Sequence, residues 1–276
     1  MATATTPADL KITPRQLNVD RDGTNPRWWH GGDPVPTAFF NALSVTFPQG
    51  ETFFIEAVRR YRDSCDPHLQ EQIAAFVQQE AMHTREHVTF NRLVKGAGYD
   101  TSAMEAYTRM RLDLARKRHP IAQLAMTVAL EHFTAIMAHS LLADPEPLPG
   151  APEHIRKLWQ WHAIEEIEHK AVAYDTYLAA TKDMPAWRRY LIRINVMLLV
   201  SLQFWRANIR HMADFFRQDG INTPRTWLRV LRYHFVKPGL LRKIFRAYVI
   251  FYRPGFHPWC EDDRHLIESI ERQLAR

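Results

Sequence analysis

Two short motifs in the chain pair a carboxylate with an imidazole three residues later, Glu80 with His83 and Glu166 with His169. Residues three apart on a helix lie on the same face, so each motif could bind one metal ion from a single helix. Oxygen and nitrogen ligands of this kind suit iron, manganese or zinc better than soft metals. A chain with 14 histidines holds about one such pair by chance, so the motifs alone are weak signals.

Two further glutamates make the pattern more specific. Glu51 precedes a predicted turn at 66–67 by about as many residues as Glu80 follows it. A helix rises by about 1.5 Å per residue, so these two side chains should lie level on adjacent antiparallel helices. Glu131 and Glu166 are related in the same way across the next predicted loop. This is the ligand arrangement of a di-metal carboxylate site in a four-helix bundle.

The surroundings of these glutamates favour a metal over a solvated surface. The glutamates interrupt apolar helical stripes, where unpaired carboxylates are costly and cations compensate them. His87 fits an extra ligand, a hydrogen-bond partner of a ligand or a core histidine, and the second role is favoured. Glu165 is predicted to support the site or to face away from it. A mostly apolar substrate pocket is predicted from five residues near the ligands: Phe54, Met82, Phe133, Met137 and Trp159.

The elements that carry these residues are predicted to be almost entirely helical. Glycine is scarce, at 10 residues, and proline and glycine separate long amphipathic runs. We predict helices at about 37–64, 67–95, 102–118, 120–143, 152–181, 185–217 and 224–252, with a short one from 261. The expected fold class is all-α, a four-helix bundle with additional basic helices. Three parts are expected: an extended segment 1–34, a di-metal bundle 35–183, and a basic, aromatic-rich extension 184–276 packed on the bundle.

The charge of the chain is concentrated in its last third. The net charge is +6, and residues 185–253 hold 14 Lys and Arg against two acids. One interpretation is that the aromatic side chains pack on the bundle and the arginines are solvated. The other is a platform on an anionic membrane surface, or a lid over a long apolar substrate. Nucleic-acid binding is disfavoured because no recognised motif accompanies the charge. A homodimer interface on these helices also stays open.

The cysteines and the N-terminus limit the class of protein. Cys65 and Cys260 are too few and too far apart for a disulfide scaffold, a Cys-ligated zinc site or an iron–sulfur site. No signal peptide is visible. The apolar stretch 194–205 is shorter than the roughly 20 residues that span a bilayer. The expected location is the cytoplasm, peripheral to the inner membrane face if the basic segment binds lipid.

Three segments resemble a ferritin-like family labelled predicted metal-dependent hydrolases: Phe47-Pro-Gln-Gly-Glu51, residues 161–170 and residues 253–259. The resemblance runs from about residue 35 to the C-terminus and implies a ferritin-like bundle. The pattern is also similar to that of di-iron arylamine N-oxygenases, which place a third histidine one turn before the last Glu-x-x-His, as His162 does here. This similarity implies one metal bound by Glu51, Glu80 and His83, and another bound by Glu131, Glu166, His169 and His162, with at least one bridging glutamate.

Two kinds of chemistry fit such a site. With two iron ions, the site would activate O₂ to oxidise a small, largely apolar organic substrate. With manganese or zinc, a metal-activated water would attack an ester, amide or phosphate, as the hydrolase label suggests. We favour the first by analogy, because carboxylate-rich helical bundles mainly handle oxygen. A third class, a non-catalytic metal-binding bundle, has no supporting feature.

Overall fold

The computed structural model describes residues 5–17 and 24–274, with side chains to residue 270. Within this part of the chain the secondary structure is helical, with no strand, which confirms the all-α prediction. The predicted extended segment 1–34 falls partly outside the described residues, at 1–4 and 18–23. The α-helices are α1 (Pro34–Arg59), α2 (Pro67–Gly96), α3 (Ser102–Arg116), α4 (Pro120–Leu142), α5 (Glu153–His169), α6 (Val172–Ala180), α7 (Ala186–Gln218), α8 (Pro224–Phe235), α9 (Leu240–Ile250) and α10 (Arg264–Leu274).

Local sequence sets where several of these helices begin. α1 and α2 each start with a proline that follows an aspartate, and the aspartate side chain caps the helix. Asp33 accepts a hydrogen bond from Val35 N, and Asp66 accepts one from Leu69 N. Such a cap satisfies a backbone N–H that has no partner in the first turn, and proline at the first position has no N–H to satisfy.

Four helices form the bundle that carries the candidate site. α1 packs on α2 and α4 packs on α5, and α1–α4 and α2–α5 contacts join the two hairpins. Apolar side chains fill the bundle on both sides of the glutamates. One cluster contains Phe53, Phe76 and Leu124, and the other contains Phe90 and Trp159. Burial of this apolar surface is the main favourable term that holds the four helices together.

Two predicted helices are divided in the structure. The predicted helix 152–181 is interrupted after His169, where the buried Lys170 ammonium reaches Asp263 Oδ2 at 2.6 Å and the Glu261 carbonyl. The predicted helix 224–252 is divided between α8 and α9. Pro238 cannot donate a helical hydrogen bond, and Gly239 has φ of +74°, a left-handed conformation that glycine tolerates. α1 also ends at residue 59 rather than 64, and a short 3₁₀ turn follows it.

The later helices form a layer over the bundle. α7 contacts α1 and α4, α8 contacts α1, and α9 contacts both α4 and α8. Arg193 connects α7 to the segment that follows α9, because its guanidinium donates to the carbonyl oxygens of Phe251 at 2.7 Å and Arg253 at 2.9 Å. Among the described helices, α4 is long and apolar enough to cross a membrane by composition. However, 67% of its most apolar window is buried in the protein, as in a core helix.

Candidate metal centre

The structure brings together the seven side chains that the sequence nominated as metal ligands. α1 supplies Glu51, α2 supplies Glu80 and His83, α4 supplies Glu131, and α5 supplies His162, Glu166 and His169. Each of the seven is at most 4% exposed. Their oxygen and nitrogen atoms fall into three overlapping groups of three, and Glu51 and His162 form a fourth group with His87; within each group the ligand atoms lie within 4.8 Å of one another. All four bundle helices therefore contribute to one buried cluster.

The cluster has two halves, and two glutamates lie between them. Glu80 turns Oε2 toward His83 Nδ1, at 3.9 Å, and Oε1 toward His169 Nε2, at 3.2 Å. Glu166 turns Oε1 toward His162 Nε2, at 3.0 Å, and Oε2 toward His169 Nε2, at 3.6 Å. Glu131 lies with the second half, 3.5 Å from His169 Nε2. Each of the two central carboxylates thus presents one oxygen to each half.

His162 lies in a different half from the one implied by the resemblance to the N-oxygenases. Its ring stacks on that of His83, with centroids 4.2 Å apart, so it groups with His83 and not with Glu131. The physical reason lies in helical rise. His162 and His169 are seven residues apart on α5, which separates them by about 10.5 Å along the helix axis. They therefore flank Glu166 from opposite sides.

Most of the buried polar atoms of this cluster form no hydrogen bond with the described part of the chain. Glu80 and Glu131 leave both carboxylate oxygens without a hydrogen bond, and Glu51 leaves Oε1 without one, although Thr84 donates to its Oε2. Among the described residues, nine oxygen and nitrogen atoms of the seven side chains are buried and unpartnered. Buried polar groups are normally satisfied, and leaving them unpaired costs about 1–3 kcal/mol each. The donor set therefore fits bound metal cations.

Electrostatics in the cluster favour cations for the same reason. Burial, reinforced by repulsion from neighbouring carboxylates, raises the pKa of Glu51, Glu80 and Glu131 well above the usual glutamate range. Burial also acts to raise the pKa of Glu166, but the adjoining imidazoles of His162 and His169 hold it well below that range. The raised pKa favours the protonated form of Glu51, Glu80 and Glu131 when no cation is present, and metal binding would release these protons.

A chain of hydrogen bonds determines which nitrogen of His162 faces the cluster. Pro48 has no N–H, so the Ser44 carbonyl loses its helical partner and instead accepts from Asn91 Nδ2 at 3.0 Å. Because Asn91 Nδ2 is the donor in that bond, Asn91 Oδ1 is available as an acceptor, and Ser44 Oγ donates to it at 2.8 Å. Ser44 Oγ in turn accepts from His87 Nδ1 at 2.9 Å, which leaves His87 Nε2 to accept from His162 Nδ1, also at 2.9 Å.

This chain keeps the lone pair of His162 Nε2 pointed at the cluster. The assignment holds because His87 is neutral, since burial lowers its pKa well below the usual histidine value. A lone pair on Nε2 and a Glu166 oxygen only 3.0 Å away repel each other unless a proton or a cation lies between them. The favoured role for His87, a partner that orients a ligand, is consistent with this geometry.

The other two imidazoles are oriented by separate partners. His169 Nδ1 lies 2.9 Å from Gln79 Oε1, and Gln79 must accept there because its Nε2 donates to Glu168 Oε2. This leaves the His169 Nε2 lone pair facing the cluster. His83 Nε2 lies 3.0 Å from Glu165 Oε2, so Glu165 supports His83 rather than facing away. The sequence analysis did not nominate Gln79, Ser44 or Asn91, because isolated amide and hydroxyl side chains carry no spacing signal.

A cavity of about 360 Å³ leads from the surface to the first half of the cluster. Its inner end includes His162, Phe47 and Trp159, and its other walls are mostly apolar. The Phe47 ring stacks on His162, with centroids 5.0 Å apart, and so covers the imidazole. The outer end includes Lys237, Glu146 and the ion pair between Lys243 and Asp144. A largely apolar molecule with a polar end would fit this arrangement.

The cavity contains two of the five residues that were predicted to line a pocket. Met137 and Trp159 line it. Phe54 and Met82 are buried in the apolar clusters instead, and Phe133 stacks on Phe204 of α7, with centroids 4.9 Å apart. Proximity to the ligands along a helix does not determine which side chains face open space, so a pocket role for these three residues stays a prediction.

A second group of candidate ligands has a simpler explanation. His139, Glu261 and Asp263 lie close enough to bind a cation. However, Lys170 Nζ already lies 2.6 Å from Asp263 Oδ2, and His139 Nδ1 lies 3.0 Å from Asp263 Oδ1. The lysine supplies the positive charge, so this group is an ion pair that ties α10 to the end of α5.

Comparison with known proteins agrees with a metal-dependent activity. No curated protein and no solved structure matches the chain. A family model described as "Predicted metal-dependent hydrolase" matches residues 13–262. This span includes all seven clustered side chains and the cavity, and it covers most of the 276 residues. The chain therefore belongs to the family of predicted metal-dependent hydrolases.

Proposed function

We propose that the protein is a two-metal enzyme and that it hydrolyses a small, largely apolar substrate. The observation that carries the proposal is the convergence of four carboxylates and three imidazoles, nine of whose buried oxygen and nitrogen atoms form no hydrogen bond within the described part of the chain. The family description supports hydrolysis as the reaction.

The proposed division of the ligands follows the two halves of the cluster. Glu51, His83 and His162 would hold one ion, and Glu131 and His169 would hold the other. Glu80 and Glu166 would contact both, because each presents one oxygen to each half. Divalent ions held there supply Lewis acidity for water and for a carbonyl or phosphoryl oxygen, and iron also supplies electrons for O₂.

The residues around the centre bind the substrate and limit access of water. The cavity would hold the apolar part of the substrate against Met137 and Trp159 and place its reactive end beside His162. Phe47, stacked on His162, excludes water from one side of that imidazole. The hydrogen bond that His162 donates to His87 and the contact of His83 with Glu165 would keep the imidazoles of the first half oriented toward the metal ion.

Oxidation of the substrate by O₂ is a second candidate reaction. It is favoured by the donor set, which contains carboxylates and imidazoles but no thiolate and is contributed by four packed helices. The same combination holds the metals of di-iron and di-manganese carboxylate proteins. The apolar walls of the cavity suit an organic substrate in either reaction.

Metal content tests the proposal first. The full-length protein would be stripped with a chelator, reloaded with Fe²⁺, Mn²⁺ or Zn²⁺ and analysed by mass spectrometry. We expect two ions per chain in the wild type and in the control Glu71→Gln, which alters an exposed residue of α2. Glu80→Gln should lose at least one ion. Equal metal content in Glu80→Gln and Glu71→Gln would overturn the assignment.

Activity then separates the two reactions. Metal-loaded protein would be incubated with aryl esters of short acyl chains in the absence of O₂, and the ferrous protein would be mixed with O₂ in an oxygen electrode. Metal-dependent ester cleavage without O₂ supports hydrolysis. Oxygen uptake by the ferrous protein, without ester cleavage, would select oxidation instead. The absence of both would refute a catalytic role.

A further inference from the structure

The exposed apolar side chains of the protein are concentrated on the outer helical layer. Twelve of the sixteen exposed large apolar side chains in the described part of the chain lie between residues 187 and 249. They are Trp187, Leu191, Leu198, Leu199, Leu202, Ile209, Leu228, Leu231, Phe235, Val236, Phe245 and Val249. Single exposed apolar residues are ordinary, but a concentration of this kind marks an interaction surface.

The helices that carry these side chains are neighbours, because α8 packs on α9 and side-chain contacts link α7 to both. Leu198, Leu202 and Trp205 follow each other at helical spacing on one side of α7, and the Trp205 ring contacts His234 of α8, with centroids 5.8 Å apart. Ser201 Oγ of α7 lies 2.9 Å from the hydroxyl of Tyr248, on α9. These two contacts connect α7 to both shorter helices through side chains. We call the exposed apolar side chains of α7–α9, together with the α8–α9 turn, the outer face.

The outer face is strongly cationic. Asp214 and Asp219, the two acids between residues 185 and 253, are paired with Arg217 and Arg27. Within the described residues, eight exposed basic side chains of α7–α9 and the α8–α9 turn form no ion pair: Arg188, Arg206, Arg210, Arg225, Arg232, Lys237, Arg242 and Arg246. Exposed apolar side chains and unpaired cations on the same helices are the composition that binds anionic lipid surfaces.

The outer end of the cavity lies in the same face. Lys237, Pro238 and Lys243 line the cavity, while Phe235 and Val236, in the same turn, are 57% and 59% exposed. A surface that covered these two apolar side chains would therefore lie against the 237–243 edge of the cavity.

We propose that the outer face docks on the surface of an anionic lipid bilayer, with the opening of the cavity at residues 237–243 turned toward the lipid. A substrate could then pass from the bilayer into the cavity, a consequence that rests on the function proposed above. A second copy of the chain is a less suitable occupant of a symmetric interface, because two identical outer faces would bring the unpaired cations against one another.

Vesicle flotation tests the docking. Full-length protein would be mixed with vesicles of phosphatidylcholine alone, or of phosphatidylcholine with phosphatidylglycerol. We expect binding to the anionic vesicles, weakened by salt, and little binding to the neutral ones. The double variant Leu228→Ser, Leu231→Ser should lower the partition coefficient by about tenfold. Each of Arg225→Gln and Arg232→Gln should lower it by about fivefold at low salt.

A matched control uses another helix. Met110 and Leu114 on α3 are both 48% exposed, so Met110→Ser with Leu114→Ser removes a comparable apolar surface outside the outer face. This control should bind like the wild type. Wild-type protein that does not bind the anionic vesicles, or equal losses in the two double variants, would overturn the proposal. A dimer in solution that only the α8 variant dissociates, with vesicle binding unchanged, would assign the face to a second copy instead.

The orientation of the cavity opening has its own test. A polarity-sensitive dye would be attached at Val236→Cys, in a Cys260→Ser background that removes the exposed native thiol. Anionic vesicles should shift its emission to the blue and allow quenching by a lipid-borne quencher, whereas the same dye at Met110→Cys should not respond. The reverse pattern would contradict the orientation. Neither vesicle experiment uses metal or substrate, so docking and the two-metal function can fail independently.

Discussion

The hydrogen-bond chain behind His162 supports a sharp prediction about metal affinity. Ser44→Ala removes the acceptor of His87 Nδ1, which is 2.9 Å away in the wild type. The His87 side chain is fully buried, so water cannot replace the lost oxygen. The ring must then either bury an unpaired N–H or move its proton to Nε2. In the second case Nε2 becomes a donor to His162, whose own proton must shift to the nitrogen that faces Glu166.

The size of the effect follows from these two outcomes. An unpaired buried donor costs about 1–3 kcal/mol. If the loss falls on the metal-bound state, the affinity of the first half of the cluster decreases by roughly 5- to 150-fold. Changes to residues that orient metal-binding histidines typically cost about 10–100-fold, which is the same range. The second half of the cluster, which contains Glu131 and His169, is not oriented by the hydrogen bonds from Ser44 to His162, so it should keep its affinity for metal.

The assay is a competition titration with a metal chelator, fitted with two sites. Thr46→Ala is the matched control, because it removes a hydroxyl from the same helix that bonds only to the Leu43 carbonyl. Ser44→Ala should weaken one site and leave the other unchanged, and Thr46→Ala should weaken neither. An affinity within about twofold of the wild type at both sites would refute the orienting role of the chain.

Four further outcomes are expected. Gln79→Leu should weaken the metal site that contains His169 by about 10–100-fold in the same titration, because the ring loses its acceptor. Met137→Trp should reduce binding of a fluorescent apolar probe in the cavity while metal content is unchanged. Arg193→Met should lower the free energy of unfolding in urea by about 2–4 kcal/mol, because two carbonyls lose a charged donor. The free energy of unfolding of the metal-free protein should fall as the pH rises above the ordinary glutamate pKa of about 4.3. Above that pH the three buried carboxyls with raised pKa bind more protons in the folded chain than in the unfolded chain, so a rising pH removes the difference that favours folding. Buried imidazoles with lowered pKa oppose this trend only below about pH 6.5, so the fall should be clearest above that pH, and added metal should abolish it.

Much of the fold could be predicted because helix limits depend on neighbouring residues. The aspartate–proline starts of α1 and α2 and the start of α4 at Pro120 follow from capping and from the fixed φ of proline. The two wrongly joined helices show the limit of this approach. The interruption after His169 coincides with a buried ion pair between Lys170 and Asp263, residues 93 positions apart, and no local pattern reports such a contact.

For the candidate site, the sequence could predict which residues lie at the same height along the helical bundle. Helical rise places Glu51 level with Glu80, and Glu131 level with Glu166, whenever the helices fold back on each other. It does not say which faces of the helices meet. The grouping of His162 with His83, and the position of Phe133 against Phe204 rather than in the cavity, depend on side-chain directions set by packing among several helices.

By itself, the amino-acid sequence of this protein determined the helices, the acidic and histidine-rich character of the bundle and the cationic character of its last third, because these properties depend on composition and on spacing along one helix. Tertiary structure alone decided the orientation of each imidazole, the path of the cavity and the union of three helices in one exposed face. Those features depend on contacts of 3–6 Å between residues far apart in the chain, for example His87 with His162 and Trp205 with His234, and such contacts exist only once the helices have packed.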